Sequence, residues 1–516
     1  MKGLLAKLWK TWRSWSVRRR ALVIAATIAG IAGIGVAAYL ILKRPGDISN
    51  PDAEFIAGEK PGGKGPKPIK TVDWPVYGYD DQRTRYLPTK IVRPPFGGSR
   101  WSFVAGKLLE FSPVVAGGVL YFLDKDAVMY ALRANNGKVV WKNEVGDLAA
   151  SSPAFSDGVV YTVTLDPGAA VALRARDGKV LWQRDLPGRS ETSPLVFGKS
   201  VIVGSESGDV FALDRKTGQV RWRASTAGNV KGGLALDEGI IYGANYAGEV
   251  FAIRAANGGF VWKSSTSGLS LGRGGPVYST PAVAFGRIFL GSIDGRVYSF
   301  EQSSGELAWS HSTGDWVYAG PAVADTERAE PTVYVGSKDH SFYALDAKTG
   351  DVRWQKDVGG IVLGAASVVG EVAYVGVLGP KVGTLGFDAK TGKQVFEHEF
   401  GEYNPVISDG RRLYLTGTSG IRAFEHKVKR PKKPGGGKPG DGKPGGGGGQ
   451  PGGGKPGGGK PGGGGGKPGG GKPGGNDAGR GGEPRGERGA AEPGSGSEGG
   501  GPDAPSEPPS SGGGSF

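Results

Sequence analysis

Four histidines, His311, His340, His398 and His426, are the only imidazoles in the chain, and no two of them stand at metal-ligand spacing. Each reads as a surface or turn residue. Cysteine is absent, which removes thiolate metal sites, a cysteine nucleophile and any disulfide framework, and suits an exported chain. The run Gly272-Arg273-Gly274-Gly275 lacks a following Lys-Ser/Thr and a helical pattern, so it does not read as a phosphate cradle. Asp214, Asp346 and Asp388 lie in turn sequences ending in Lys-Thr-Gly, where an aspartate bonds its own backbone rather than acting as a base. No cluster of Asp, Glu and Asn offers an oxygen cage for a hard cation. No catalytic, cofactor-binding or metal-ligating residue is assigned. The chemistry left is recognition. Arg189, Lys231, Arg273, Trp316, Tyr318, Tyr403 and Asn404 fall in segments that join one sequence unit to the next, and Arg and aromatic side chains are the types that anchor protein interfaces. The alternative for Trp316 and Tyr318 is that they fill a central channel.

The elements that position these residues come from a repeat. A tryptophan preceded by glycine four residues earlier recurs as Gly137/Trp141, Gly178/Trp182, Gly218/Trp222, Gly258/Trp262, Gly305/Trp309 and Gly350/Trp354, with Phe replacing Trp in Gly392/Phe396. The steps are 41, 40, 40, 47, 45 and 42 residues, the length of a four-stranded propeller blade. Several units open on Ser/Thr-Pro, as at Ser112-Pro113, Ser152-Pro153, Ser193-Pro194 and Thr280-Pro281, and continue in apolar and alternating runs split by Gly/Asp turns. The glycine suits a positive-φ turn, and the indole ring suits the gap between neighbouring blades. After the seventh unit, Asn404 to Phe424 supplies three strands and no fourth, while Gly97 and Trp101 repeat the motif with no strands before them. Closing the ring with the Trp101 strand predicts eight blades and removes the open edges.

Ala344 to Trp354, with Ala212 to Trp222 and Gly386 to Phe396, resembles the tryptophan-docking repeat of the PQQ-like (pyrrolo-quinoline quinone) propeller family, and Trp74-Pro75-Val76-Tyr77-Gly78 resembles that family's opening segment. Arg133, Arg174, Arg254 and Glu301 depart from the repeat's aspartate. The resemblance runs from Trp74 to Glu425 and implies an all-β, eight-bladed PQQ-like propeller. It also implies two functional classes: quinoprotein dehydrogenases holding PQQ and calcium, and binding propellers such as the BamB-type factors of outer-membrane assembly. The alcohol-dehydrogenase branch places adjacent cysteines against the quinone, and this chain has none. Its blades are also tight. A binding propeller with no cofactor is therefore expected, with a PQQ/calcium dehydrogenase as the alternative.

The ends differ from this middle. The net charge is +15, yet residues 71–426 hold 37 basic and 37 acidic residues, so no folded basic face invites nucleic acid. Residues 1–20 are basic with Trp and Leu at helical spacing, and residues 21–42 are 22 uncharged residues, about 33 Å as a helix. The basic flank before the run predicts a single-pass anchor with a cytoplasmic N-terminus and everything after Arg44 outside, a type II topology. Ala25, Ala29, Gly33 and Ala37 form a small-residue stripe that would permit helix pairing. Residues 43–70 read as a Gly/Pro/Lys spacer, residues 71–426 as the propeller, and residues 427–516 as a disordered Gly/Pro/Lys-rich tail. The tail's lysines would meet anionic wall polymers, or it is a plain solvated spacer. The sum is a membrane-anchored platform in the cell envelope with a protein partner.

Overall fold

The computed structural model describes residue 9 and residues 11–42, 47–57, 72–266, 275–379 and 383–426. A helix, α1, spans Val17–Leu42. Among the described residues no helix is long and apolar enough to cross a membrane; the side chains of residues 34–42 lie outside the described set, so the side chains of the expected anchor are described only as far as Gly33. The expected tail and Arg273 also lie outside it.

Eight sheets follow in chain order. The first contains Val114–Ala116, Val119–Leu123, Val128–Arg133 and Val139–Glu144, paired antiparallel from the innermost strand outward. The same meander recurs in each blade. The last blade contains Ile407–Ser408, Arg412–Gly417 and Gly420–Glu425, and its outer strand is Trp101–Val104, with Trp101 opposite Ala423 and Val104 opposite Gly420. The ring is closed by the strand the sequence had set aside for it.

Tryptophan docking joins the blades. The indole N–H of Trp182 donates to the Arg215 carbonyl of the next blade at 3.0 Å, and Trp101, Trp141, Trp222, Trp262, Trp309 and Trp354 make the corresponding bond to Ala134, Ala175, Ala255, Gln302, Ala347 and Ala389. The ring lies flat on the glycine of that turn. Gly218 has φ +70°, and a Cβ there would come within 2.7 Å of the Trp182 ring, so both conformation and space demand glycine. The turn aspartates serve the same corner: Asp214 accepts from the backbone N–H of Lys216 at 3.0 Å and of Thr217 at 3.2 Å.

Residues 47–57 are not a free spacer. Ile48–Ser49 pairs as a fifth, outer strand on the fifth blade, with Ile48 opposite Ser310. The buried Arg287 side chain donates to the carbonyls of Ala53, at 2.7 Å, and Glu54. Phe55 packs on Phe285, with ring centroids 5.6 Å apart, and Ala53 is buried, so the apolar residues of the stretch were its only mark, while the strand pairing itself uses backbone groups that every residue carries.

Candidate functional site

The inner strand of every blade leaves one edge facing the central channel. Residues 72–87 occupy that edge as a strap that visits the blades in turn. Val72 N–H donates to Asp409 on the eighth blade, and Trp74 exchanges bonds with Val115 on the first. The carbonyls of Pro75, Asp81, Gln82, Thr84 and Arg85 accept from Phe155, Leu236, Val283, Val323 and Val368 on the second, fourth, fifth, sixth and seventh blades. The third blade is reached by a side chain. Arg83 is fully buried and donates to Leu234, Ser193 and Pro194 at 2.9, 3.3 and 3.0 Å, and to Tyr77 within the strap. Arg85, also fully buried, donates to Arg83 and Pro321 at 2.8 and 2.9 Å. Burial lowers the Arg83 pKa to about 10, which leaves it charged at neutral pH. Arg83 and Arg85 have φ of +59° and +56°, a left-handed conformation that non-glycine residues hold only where the surroundings over-determine it. Gly78, at φ +84°, lets the strap turn against Arg83, whose Cα a Cβ would approach to 3.1 Å.

Above the strap, the loops entering the inner strands form a mouth lined by Tyr77, Glu110, Glu191, Lys231, Tyr278, Tyr318, Tyr403 and Asn404 among others, with a cavity of about 50 Å³. Tyr278 stacks on Tyr318 with centroids 4.1 Å apart. Its hydroxyl donates to Glu191 at 2.5 Å, and Lys231 reaches Glu191 at 3.2 Å and Glu206 at 3.1 Å. Burial raises the Glu191 carboxyl, and Lys231 and Tyr278 oppose the rise. Burial pushes the Glu110 carboxyl up to about 7, repulsion from Glu191 adds to this, and Lys125 opposes it. Asn404, 2 % exposed, donates to the Leu109 carbonyl at 2.9 Å, while its Oδ1 is buried with no hydrogen-bond partner.

Four expected residues, Lys231, Tyr318, Tyr403 and Asn404, therefore meet at the mouth. Arg189 is exposed outside the lining. Trp316 also lies outside it, with the Lys338 ammonium 4.3 Å from its ring centroid, so the channel is filled by residues 72–87 and not by Trp316. Sequence reasoning missed Glu110, Glu191 and Tyr278, and the arginine pair beneath them. Arg83-Thr84-Arg85, alternating basic residues just after an aromatic opening segment, was the available sign. The histidines are dispersed: His311 sits 3.7 Å from Asp47, and His426 Nδ1 lies 2.6 Å from the Arg93 carbonyl. Among the described residues no group of three or more His, Cys, Asp or Glu is placed to hold a metal.

The residues present do not fit PQQ with calcium. Calcium takes about six to eight oxygens, whereas both oxygens of Glu191 are engaged by an ammonium and a phenol, which leaves only the Glu110 carboxylate and Asn404 Oδ1 among the mouth's acidic and amide side chains. A cavity of about 50 Å³ has room for a few waters, and the strap crosses the channel below it.

A family model described as outer membrane protein assembly factor BamB matches residues 90–230 and 222–421. Among solved structures, BamB from Moraxella catarrhalis superposes with a TM-score of 0.54 at 18% identity, covering 64% of this chain and all of that one. Quinohemoprotein alcohol dehydrogenase ADHIIG from Pseudomonas putida HK5 gives 0.57 at 15% identity, covering 70% and 82%. These likenesses establish the fold. A curated relative, 1-butanol dehydrogenase (cytochrome c) from Thauera butanivorans, is 30% identical over 18% of this chain and 16% of its own length, so the chain spans about a sixth of that relative.

Proposed function

This chain belongs to the family described as outer membrane protein assembly factor BamB, and from that premise we propose that it is a protein-binding platform in the cell envelope, tethered through α1 and not catalytic. The observation that carries this reading is the strap: the channel is filled by the chain's own residues 72–87 through hydrogen bonds to the blades, which leaves a shallow polar and aromatic mouth for recognition. Arg18, Arg19 and Arg20 lie in the first turn of α1, which then exposes Leu22, Ile24, Ile28 and Ile31, a surface that soluble proteins bury. Residues 43–47 separate the end of α1 from the strand on the fifth blade, a reach of at most about 18 Å for five residues. The platform is thus held close to its anchor, with the propeller outside the cytoplasm.

Site-specific photo-crosslinking in cells tests this reading, with probes at Trp316 and Tyr403 and a control at Lys216 on an outer turn. A discrete adduct from the first two and none from the control is the expected result. No adduct from any probe overturns it. A second reading, a quinoprotein dehydrogenase, is favoured by the likeness to the alcohol dehydrogenases. Titration of the purified chain with PQQ and calcium separates the two, since saturable binding would support the dehydrogenase.

A further inference from the structure

We infer that the mouth is a receptor for one arginine side chain of the partner protein, held between Glu110 and Asn404 and walled by the tyrosines. This names what the platform recognises and so rests on that reading. Two acceptors at the mouth lack a donor. Glu191 has its ammonium in Lys231, but among the described residues no hydrogen bond or ion pair holds Glu110, which is half-buried at the rim. Asn404 uses its amide N–H on Leu109, and that bond fixes a side chain of the cavity lining whose Oδ1 is buried with no donor. A buried acceptor left this way costs free energy, and the cost is recovered when a ligand brings an N–H.

The surrounding chemistry selects among donors. Tyr77, Phe111, Tyr278, Tyr318 and Tyr403 supply aromatic surface around the acceptors, the setting in which a flat, weakly hydrated cation is held by its faces and edges together. A guanidinium carries five N–H donors in one plane, enough to supply both Glu110 and Asn404. A cavity of about 50 Å³ admits the end of a side chain. An anionic ligand would meet two carboxylates, and an apolar one would leave both acceptors unpaired.

The groups facing Glu110 are Glu191, Lys125 and Tyr403. Arginine binds the ionised carboxylate, so affinity falls as acid protonates Glu110.

The test uses the full-length chain in detergent and calorimetric titration with the peptide acetyl-Gly-Arg-Gly-amide and its citrulline counterpart, which keeps the shape and lacks the charge. At about pH 8 the arginine peptide is expected to bind roughly tenfold tighter than the citrulline peptide. Between about pH 8 and pH 6 its affinity is expected to fall about tenfold, following protonation of a group with pKa near 7. Glu110→Gln removes the preference while retaining the wild-type circular dichroism spectrum. Equal binding of the two peptides, or a preference that survives Glu110→Gln or the pH change, overturns the inference. The crosslinking probe at Trp316 keeps the two readings apart. A wild-type adduct with unchanged yield in Glu110→Gln cells removes the arginine receptor and leaves the platform. Arginine preference in solution with no adduct in cells removes the platform and leaves the receptor.

Discussion

Glu110 should make the free protein less stable as pH rises, and Glu110→Gln should remove that penalty. Its carboxyl titrates near 7 in the folded chain against an ordinary 4.5. A carboxyl raised in the fold binds its proton more tightly there than in the unfolded chain. Stability is therefore complete below the unfolded pKa and is lost as pH climbs toward the folded one. At ~1.4 kcal/mol per pH unit, the interval corresponds to about 3 kcal/mol, and partial exposure to water discounts it to about 2–3. Gln keeps the size and the neutral form, so the variant should match the wild type near pH 4.5 and exceed it by about 2–3 kcal/mol at pH 8. Removing the charge also relieves repulsion on Glu191, which acts in the same direction. Urea unfolding followed by tryptophan fluorescence at a series of pH values measures the difference. A gap between the two proteins that stays constant from about pH 4.5 to pH 8 would refute the reasoning, because Glu110 would then not change its charge differently in the two states. A stabilising substitution at a lining residue is what a site held ready for a ligand should show.

Arg83→Met should lose about 3 kcal/mol, since bonds from a charged donor are worth ~1.5–3 kcal/mol each but burying the charge is itself costly; protease cleavage within residues 72–89 should appear before the blades unfold, and a strap as resistant as the wild type would contradict its pinning role. Gly218→Ala should cost about 2–4 kcal/mol because strain and the Trp182 ring both oppose a Cβ, whereas Gly158→Ala, at φ +77° with open space around it, should cost only ~1–2 kcal/mol. Equal urea midpoint shifts for the two would show that docking against the ring adds nothing. Asn50→Pro removes the N–H that donates to Ala308 at 2.7 Å and should expose residues 47–57 to protease, with less than about 1 kcal/mol lost from the propeller because the strand is an edge. Its test is limited proteolysis beside the urea midpoint.

The parts legible in the sequence are those written in local spacing. Trp182 and Gly218 are 36 residues apart, yet each stands at a fixed place in its own unit, so the period alone predicts that they meet. The closing strand was legible for the same reason: Trp101 repeats a motif whose other strands are missing nearby. The mouth is different. Glu110, Glu191, Tyr278 and Asn404 come from four separate joining loops, and each loop varies where the strands repeat. Which loop residues face the axis is decided by how each chain segment leaves its outer strand. That explains why Tyr403 lines the cavity while Arg189 and Trp316 do not. The strap was hidden more deeply still, because its backbone bonds carry no residue signature.

The strap also limits where recognition can occur. The N–H groups of Phe155, Leu236, Val283, Val323 and Val368 belong to inner strands and face the channel, and each is taken by the strap. A ligand bound in the channel would need those same donors, and would have to displace Arg83 from four carbonyls at once. Such displacement exposes a buried guanidinium and several carbonyls together, which is far more costly than breaking one bond. The strained left-handed residues Arg83 and Arg85 persist because the blades hold them from several sides, so loosening one contact does not free the strap. The proposed recognition is therefore placed at the rim and not in the channel, with Glu110 and the Asn404 oxygen still without donors. The same bonds that stiffen the ring close its channel to a ligand, and the acceptors left at the mouth suit the proposed guanidinium.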